Sequence, residues 1–565
     1  MGRDTSSFVP PAPGSWELEQ THLTKPPSTF LGAIFPEAMV RGFKEGTRHY
    51  GALLSHLDVA LVQRFVYVCP RPVGAPKAAK GPPPRPLFAL LRRLHPEIRR
   101  RVARASETFR DRIWRDDLRL WDTEVKPSIK AEAKALRAED LVAMTVEALA
   151  GHAARAAAFL GKTIYWHHRF NLCNMVPLGD LLAHVQEWGG VPPHEVLQAL
   201  RGASPASAGA LEEMVALREA LAGDAEATAI LESDQPAGQI VAALASRPTP
   251  VGPAARAYLD EAGTRVLGSY DPAEKLGREQ PDVLVKILRS LTSGRADVER
   301  TTASAAAAAA LRARMPEARR PLFDELFAEA LLTYRIRDER NFDADALGSG
   351  IARRALLEAG RRLAERGAVA EPEHLAEATP DEVQALLLGR GGPSAGELAA
   401  RARFRQEAKM SEAPERLGIP PSAPPPADWL PRDAARLQRA VAIVLELMFA
   451  ARQERQGKKL TGFAASAGRF EGPARVVSGP EELHLVRQGE VLVASSTSPS
   501  FNLVLPLLGA IVTERGGALC HAAIVAREYG LPAVVGCGGA LSAVTSGDRV
   551  RVDGDTGEMW ILGPS

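Results

Sequence analysis

The chain has 565 residues, 24% of them charged, with a formal net charge of only +2. The length suggests two to four domains, and the charge balance excludes the strongly basic footprint of a nucleic-acid or anionic-membrane binder. No apolar run is long enough to span a bilayer, and four cysteines without Cys-x-x-Cys spacing point to a reducing cytoplasm and to no structural zinc. Residues 1–14, rich in Pro, Ser and Gly, read as a disordered arm. The next segment, Trp16-Glu17-Leu18-Glu19-Gln20-Thr21-His22, has two readings for His22: contact with a substrate, or the polar edge of an apolar latch. Cys69 to Pro86 carries Pro70, Pro72, Pro76 and Gly81-Pro82-Pro83-Pro84, and reads as a loop or linker. Residues 86 to about 222 show apolar positions at helical spacing with arginines on the opposite face.

Within that helical block stands Tyr165-Trp166-His167-His168-Arg169-Phe170. Adjacent histidines on a helix point about 100° apart, so His167 and His168 are a poor metal pair; they either line an organic-substrate pocket or pack. Gly263-Thr264-Arg265 precedes Asp271, which leaves Arg265 either holding a phosphoryl or carboxylate oxygen or pairing with Asp271. Ser304 to Arg314 is an alanine-rich helix, and the helical pattern continues from Leu322 to Gly367. It contains Arg337, with Arg340 and Asn341 at i+3 and i+4 on one face. Leu417 to Leu430 is a proline-rich boundary, followed by a linker helix over residues 431–460.

The last hundred residues change character. Ala474–Val477 and Glu490–Ala494 read as strands, with a helix near Phe501–Leu508. Gly509 to Thr513 reads as a buried strand, Gly516-Gly517 as a tight turn, Ala522 to Glu528 as a helix and Ala533 to Val535 as the next strand. Gly530 and Pro532 stop the helix, and Gly554–Gly557 closes a terminal hairpin. His521 therefore falls in the first turn of a helix after a glycine turn, where backbone N–H groups and the helix dipole favour an anion. An imidazole there is placed to carry a phosphoryl group.

The run TERGGALCHAAIVAREYGLPAVVG, Thr513 to Gly536, resembles the phosphohistidine, or swivelling, domain of the phosphoenolpyruvate-utilising enzymes. The region from Trp16 onward resembles the central substrate-binding region of rifampin-phosphotransferase-like members, including the His167-His168 segment, Glu187-Trp188-Gly189-Gly190 and the Arg337 helix. The segment around Ala378-Thr379 departs from the family by lacking an aromatic residue.

The resemblance implies a multidomain chain. A mostly α-helical acceptor-binding region spans residues 15–430, and a small α/β swivelling domain spans residues 461–565. It implies a phosphotransferase in which His521 accepts the β-phosphoryl group of ATP and passes it to a hydroxyl of a small organic molecule. Arg515, the Gly516 and Gly517 amides, Thr513 and Cys520 are the expected supporting groups, with Arg337, Arg265, His22, His167 and His168 expected toward the substrate. The resemblance leaves no room for the family's ATP-grasp domain before Trp16 or for its barrel after the swivelling domain. ATP and Mg²⁺ are therefore expected on a separate ATP-grasp subunit, and residues 417–472 are expected to let the carrier occupy more than one position. Two other readings stand beside this one: a phosphorylation-dependent dehydratase in small-molecule biosynthesis, and a non-catalytic binding paralogue.

Overall fold

A computed structural model describes residues 8–20, 23, 25–203, 212–266, 270–292, 297–449, 454–497, 501 and 504–564. The chain is largely helical, with a small C-terminal α/β region. It divides into two compact units. One comprises residues 1–180, 270–273 and 339–442; the other comprises 181–269, 274–338 and 443–565. The units interleave along the chain instead of following the linear boundaries expected from the sequence.

In the first unit, the helices Thr29–Tyr50 and Ala346–Glu365 both pack on the helix Val146–Arg169. Thr145 caps the last of these, its hydroxyl accepting from Ala148 N at 3.2 Å. Two helical stretches widen into π turns, Trp121–Val125 and Asn341–Asp345. Such turns place extra side chains at one level of a helix and recur at functional sites.

This unit also contains a four-stranded antiparallel sheet in the order Leu54–Val62, Phe65–Pro72, Ser15–Leu18, Arg416–Gly418. Cys69 to Pro72, expected in a loop, lies in the second of these strands. Pro70 and Pro72 pair with Leu57 and Leu54 on one side, and on the other they lie outside the pairs Glu17–Val68 and Leu18–Tyr67 with the Ser15–Leu18 strand, where they give up no N–H. Residues 8–14, expected as disordered arm, pack against this sheet. Phe8 is buried beside Phe65, and Arg71 donates to Pro13 O at 2.8 Å.

In the second unit, helices from Glu212 to Thr292 form their own apolar cluster around Leu217, Leu244, Tyr258 and Leu284. The expected linker helix ends earlier than 460: Arg432–Phe449 is helix, whereas Glu454–Gln456 and Lys459–Thr461 are strands turning at Gly457 (φ +61°).

These two strands begin a sheet of nine described strands in this unit. At its centre Arg469–Val477, Glu490–Ala494, Leu508–Thr513 and Ala533–Val535 run parallel. The strand Glu490–Ala494 is buried along its whole length because both faces are covered. Leu492 and Ala494 pack with the helix His521–Tyr529, while Val491 and Val493 pack with Val550, Val552 and Met559 on the other face. The terminal hairpin is Asp548–Asp553 with Glu558–Pro564. In the region expected to hold a helix near Phe501–Leu508, the structure has a short 3₁₀ turn, Leu505–Leu507, and residues 498–500 and 502–503 lie outside the described residues.

Candidate functional site

The strand Leu508–Thr513 leads at its carboxyl end into Glu514 to Cys520, then the helix His521–Tyr529. Ligands of open parallel sheets gather beyond the carboxyl ends of the strands. The turn is pinned on several sides. Thr513 Oγ1 donates to Arg515 O at 2.8 Å, Arg515 N donates to Ser495 O at 2.9 Å, and Leu519 N donates to Leu447 O at 3.2 Å. Gly516 takes φ +100°, and a Cβ there would meet Cys520 Sγ at 2.8 Å. A Cβ on Gly517 would lie 2.0 Å from Leu447 O, so only glycine lets the turn approach the end of the Arg432–Phe449 helix. The helix closes on Gly530 in the left-handed region (φ +67°).

His521 is half-buried at the first helical position. Its Nδ1 lies 2.9 Å from Thr497 Oγ1, in the loop after the strand Glu490–Ala494. When Nδ1 carries the proton and donates it to Thr497, the Nε2 lone pair is free for attack. Burial, and then the positive charge of Arg337, push His521 down from 6.5 to about 3. The ring is therefore neutral, and nucleophilic, across the physiological range. Arg337, on the helix Ile336–Arg340, donates from Nη2 to Leu519 O, two residues before His521. Arg515 is half-buried and has no ion-pair partner among the described residues, which leaves its guanidinium available to an anion. Burial raises the Cys520 thiol above its ordinary value, so Cys520 stays protonated at neutral pH and serves as a donor at most. The set supplies a neutral nucleophile, two guanidinium groups and a helix N-terminus, which together suit a transferable phosphoryl group.

Of the residues expected from the sequence, Thr513, Arg515, Gly516, Gly517, Cys520, His521 and Arg337 come together here. Thr513 is fully buried, and its hydroxyl is spent on the turn. Arg265 is buried with its ion pair to Glu261, one helical turn back at 2.5 Å, in place of the expected Asp271. Asp271 instead accepts from Ser28 N at 2.6 Å and faces Arg405 at 3.6 Å. His22 lies outside the described residues.

His167 and His168 belong to the first unit. His167 Nδ1 lies 2.6 Å from Asp345 Oδ2, and His168 Nδ1 lies 3.2 Å from Asn171 Nδ2. Around them, Arg340 donates to His167 O and to Asn171 Oδ1, and Glu339 accepts from Trp121 Nε1 at 2.8 Å and Lys126 Nζ at 2.9 Å. This polar group spans both π turns. Sequence reasoning missed Thr497, Asp345 and Glu339. A Ser/Thr run after a strand is the single signal for Thr497, and nothing local links Asp345 to His167. Among the described residues, no group of three or more His, Cys, Asp or Glu side chains is placed to hold a metal ion, and no helix is long and apolar enough to cross a membrane.

Comparison with known proteins adds a second line of observation. Residues 486–557 match the family model for the PEP-utilising enzyme mobile domain, and residues 172–342 match that for the rifampicin phosphotransferase fourth domain. An uncharacterised phosphotransferase of Bacillus subtilis, YvkC, is 32% identical over 244 residues, covering 43% of this chain and 27% of that protein. Chondramide synthase of Chondromyces crocatus is 30% identical over 269 residues, 45% of this chain and 6% of that protein. Phosphoenolpyruvate synthase of Escherichia coli is 42% identical over 109 residues, 19% of this chain and 14% of the synthase. The matched stretches thus span about a quarter or less of these relatives. Over its two matched regions this chain is similar to phosphotransferases, and it carries the mobile domain of the PEP-utilising enzymes together with a rifampicin phosphotransferase fourth domain.

Proposed function

We propose that this chain is the phosphohistidine-bearing component of a phosphotransferase acting on a hydroxyl group. The observation that carries the reading is His521 itself: a neutral imidazole at a helix N-terminus, held at Nδ1 by Thr497 and flanked by Arg337. Nε2 attacks the β-phosphorus of ATP, a P–N bond forms, and the bond to AMP breaks. Hydrolysis then releases the terminal phosphate and leaves one phosphoryl group on His521. In the second half, the acceptor oxygen attacks that phosphorus, the P–N bond breaks and the imidazole is regenerated. Splitting the transfer in two replaces one difficult step by two easier ones. Arg515, Arg337 and the amides of the helix N-terminus neutralise the charge as it moves. The hydroxyl proton needs a base, and this reading assigns that role to His167 of the first unit, whose Nδ1 lies 2.6 Å from Asp345 Oδ2.

ATP and Mg²⁺ are bound, in this reading, by a separate ATP-grasp polypeptide, and the carrier moves between that donor and the acceptor. The experiment is incubation with Mg²⁺ and ATP labelled at the β-phosphate, with and without a candidate ATP-grasp partner. Label on the chain only in the partner's presence supports the reading. Equal labelling by ATP alone places the donor site on this chain and defeats the partner. A second reading is transfer followed by loss of phosphate as a net dehydration in small-molecule biosynthesis, and one matched relative is named as a chondramide synthase. It predicts a product that has lost water and carries no phosphate.

A further inference from the structure

The helix His521–Tyr529 is held at both ends by arginines from the helical part of the same compact unit. Before its first turn, Leu519 O accepts from Arg337 Nη2. At its last turn, Glu528 O accepts from Arg201 Nη2 at 2.8 Å and from Arg201 Nε at 3.2 Å. The last carbonyls of a helix have no partner inside it, so Glu528 O is a ready acceptor for a group arriving from outside.

Glu528 adds its side chain to this contact. It is 3% exposed, and both carboxylate oxygens accept from Gly202 N, at 3.0 and 3.1 Å. The helix does not need this side chain to close: Gly530 closes it in the left-handed region, with Leu531 N donating to Ala526 O at 2.9 Å. A carboxylate at a helix C-terminus also faces the negative end of the helix dipole. Glu528 is therefore unfavourable for the helix by itself, and its carboxylate is satisfied by the segment that follows the helix Pro193–Ala199.

The rest of the contact is thin. Val283 and Ile287, both half-buried on the helix Pro281–Thr292, pack against the apolar cluster around Ala522, Val525 and Ala526. The helix Pro193–Ala199 lies on the strand Phe463–Ser466. Contacts between parts of one chain permit relative movement unless they are large and apolar. The polar bonds at the two ends of the His521 helix therefore decide where the domain that carries it rests.

We propose that Glu528 is a positioning residue: with Arg201 and Gly202 it forms a clasp that seats the His521 domain on this chain's own helices, and the clasp opens when His521 leaves for a second site. Closed, the clasp keeps Leu519 against Arg337 and so holds the imidazole beside a guanidinium. Open, it returns the Glu528 carboxylate to water, which offsets part of the bonds given up. The purpose of the clasp rests on the reading of His521 as a moving carrier; the clasp itself does not.

The test is alkylation of the native cysteines of the full-length protein by iodoacetamide, with the modified sites read by mass spectrometry. Cys520 adjoins Leu519 and is half-buried, whereas Cys69, Cys173 and Cys537 are buried, so the rate at Cys520 reports the open fraction. Arg201→Met alters nothing in the His521 domain, and Glu528→Lys suits a helix C-terminus but cannot accept from Gly202; each should speed labelling of Cys520 about tenfold. Glu528 lies about 12 Å from Cys520 along the helix axis, so neither change touches the thiol. Arg312→Met, which removes a surface pair with Asp324 in the same unit, should change nothing. Unchanged labelling of Cys520 in either clasp variant overturns the proposal. A rise matched at Cys173 and Cys537, which marks unfolding in place of undocking, overturns it as well. The assay needs no phosphoryl transfer, so its failure is separate from any failure of His521 to carry phosphate.

Discussion

The proton affinity of His521 gives the sharpest prediction. Folding takes the imidazole from an ordinary 6.5 to about 3, first by burial and then by the charge of Arg337. At pH 5, an unperturbed histidine would be only about 3% neutral, whereas His521 should be about 99% neutral. The drop corresponds to linkage of the order of 5 kcal/mol. In sign, the unfolded chain takes up a proton at this residue below pH 6.5 and the folded chain does so only near pH 3. Stability is therefore lost as pH falls through that window, and none of it is lost above 6.5. The assay is a carbon-13 NMR titration of labelled histidine, with His521 assigned among the twelve histidines by the signal missing in His521→Gln. A shift that stays flat from pH 8 to pH 5 is expected. In Arg337→Gln the midpoint should rise but stay below 6.5, because burial is the larger cause. A midpoint near 6.5 in the unaltered protein would refute the argument that the nucleophile is held neutral by its surroundings.

Further outcomes follow from the same geometry. Thr497→Val removes the group that fixes Nδ1 and should slow loading of His521 by about one to two powers of ten, with Thr497→Ser restoring most of the rate; phosphoenzyme formation measures both. Arg337→Gln should cost about 10²–10³ in phosphoryl transfer while leaving far-ultraviolet dichroism unchanged, and single-turnover kinetics read it. Gly517→Ala forces a Cβ against Leu447 O and should destabilise the protein by about 1–3 kcal/mol, visible as a lowered midpoint in thermal unfolding.

The C-terminal fold was legible because its punctuation is local. Gly516-Gly517, Gly530 and Pro532 bracket a helix former run, and the β-branched stretches on either side can only be buried strands. The same stretch placed His521, whereas Arg337, expected toward the substrate, bonds Leu519 O next to it. Thr497 was not legible: it sits in a Ser/Thr loop with no periodicity, and its link to His521 arises only when two parallel strands lie side by side. Asp345 and His167 are separated by more than a hundred residues, so their pairing has no local trace. The four-stranded sheet was hidden for a related reason. Ser15–Leu18 pairs with Arg416–Gly418 across almost the whole helical region, and the prolines of Phe65–Pro72, which read as a linker, sit in a strand where they pair with Leu54–Val62 and lie outside the pairs with Ser15–Leu18. The two compact units escaped the sequence because each is assembled from three separate stretches of chain.

The central claim is that His521 carries the phosphoryl group, and the most direct measurement is to find that group. The chain is loaded with β-labelled ATP in the presence of an ATP-grasp partner, digested at alkaline pH, and the labelled peptide is mapped by mass spectrometry. The expected result is acid-labile, base-stable phosphate on His521, with none on the His521→Ala protein despite an unchanged fold. Phosphate on another residue, or acid-labile label retained by His521→Ala, would contradict the account.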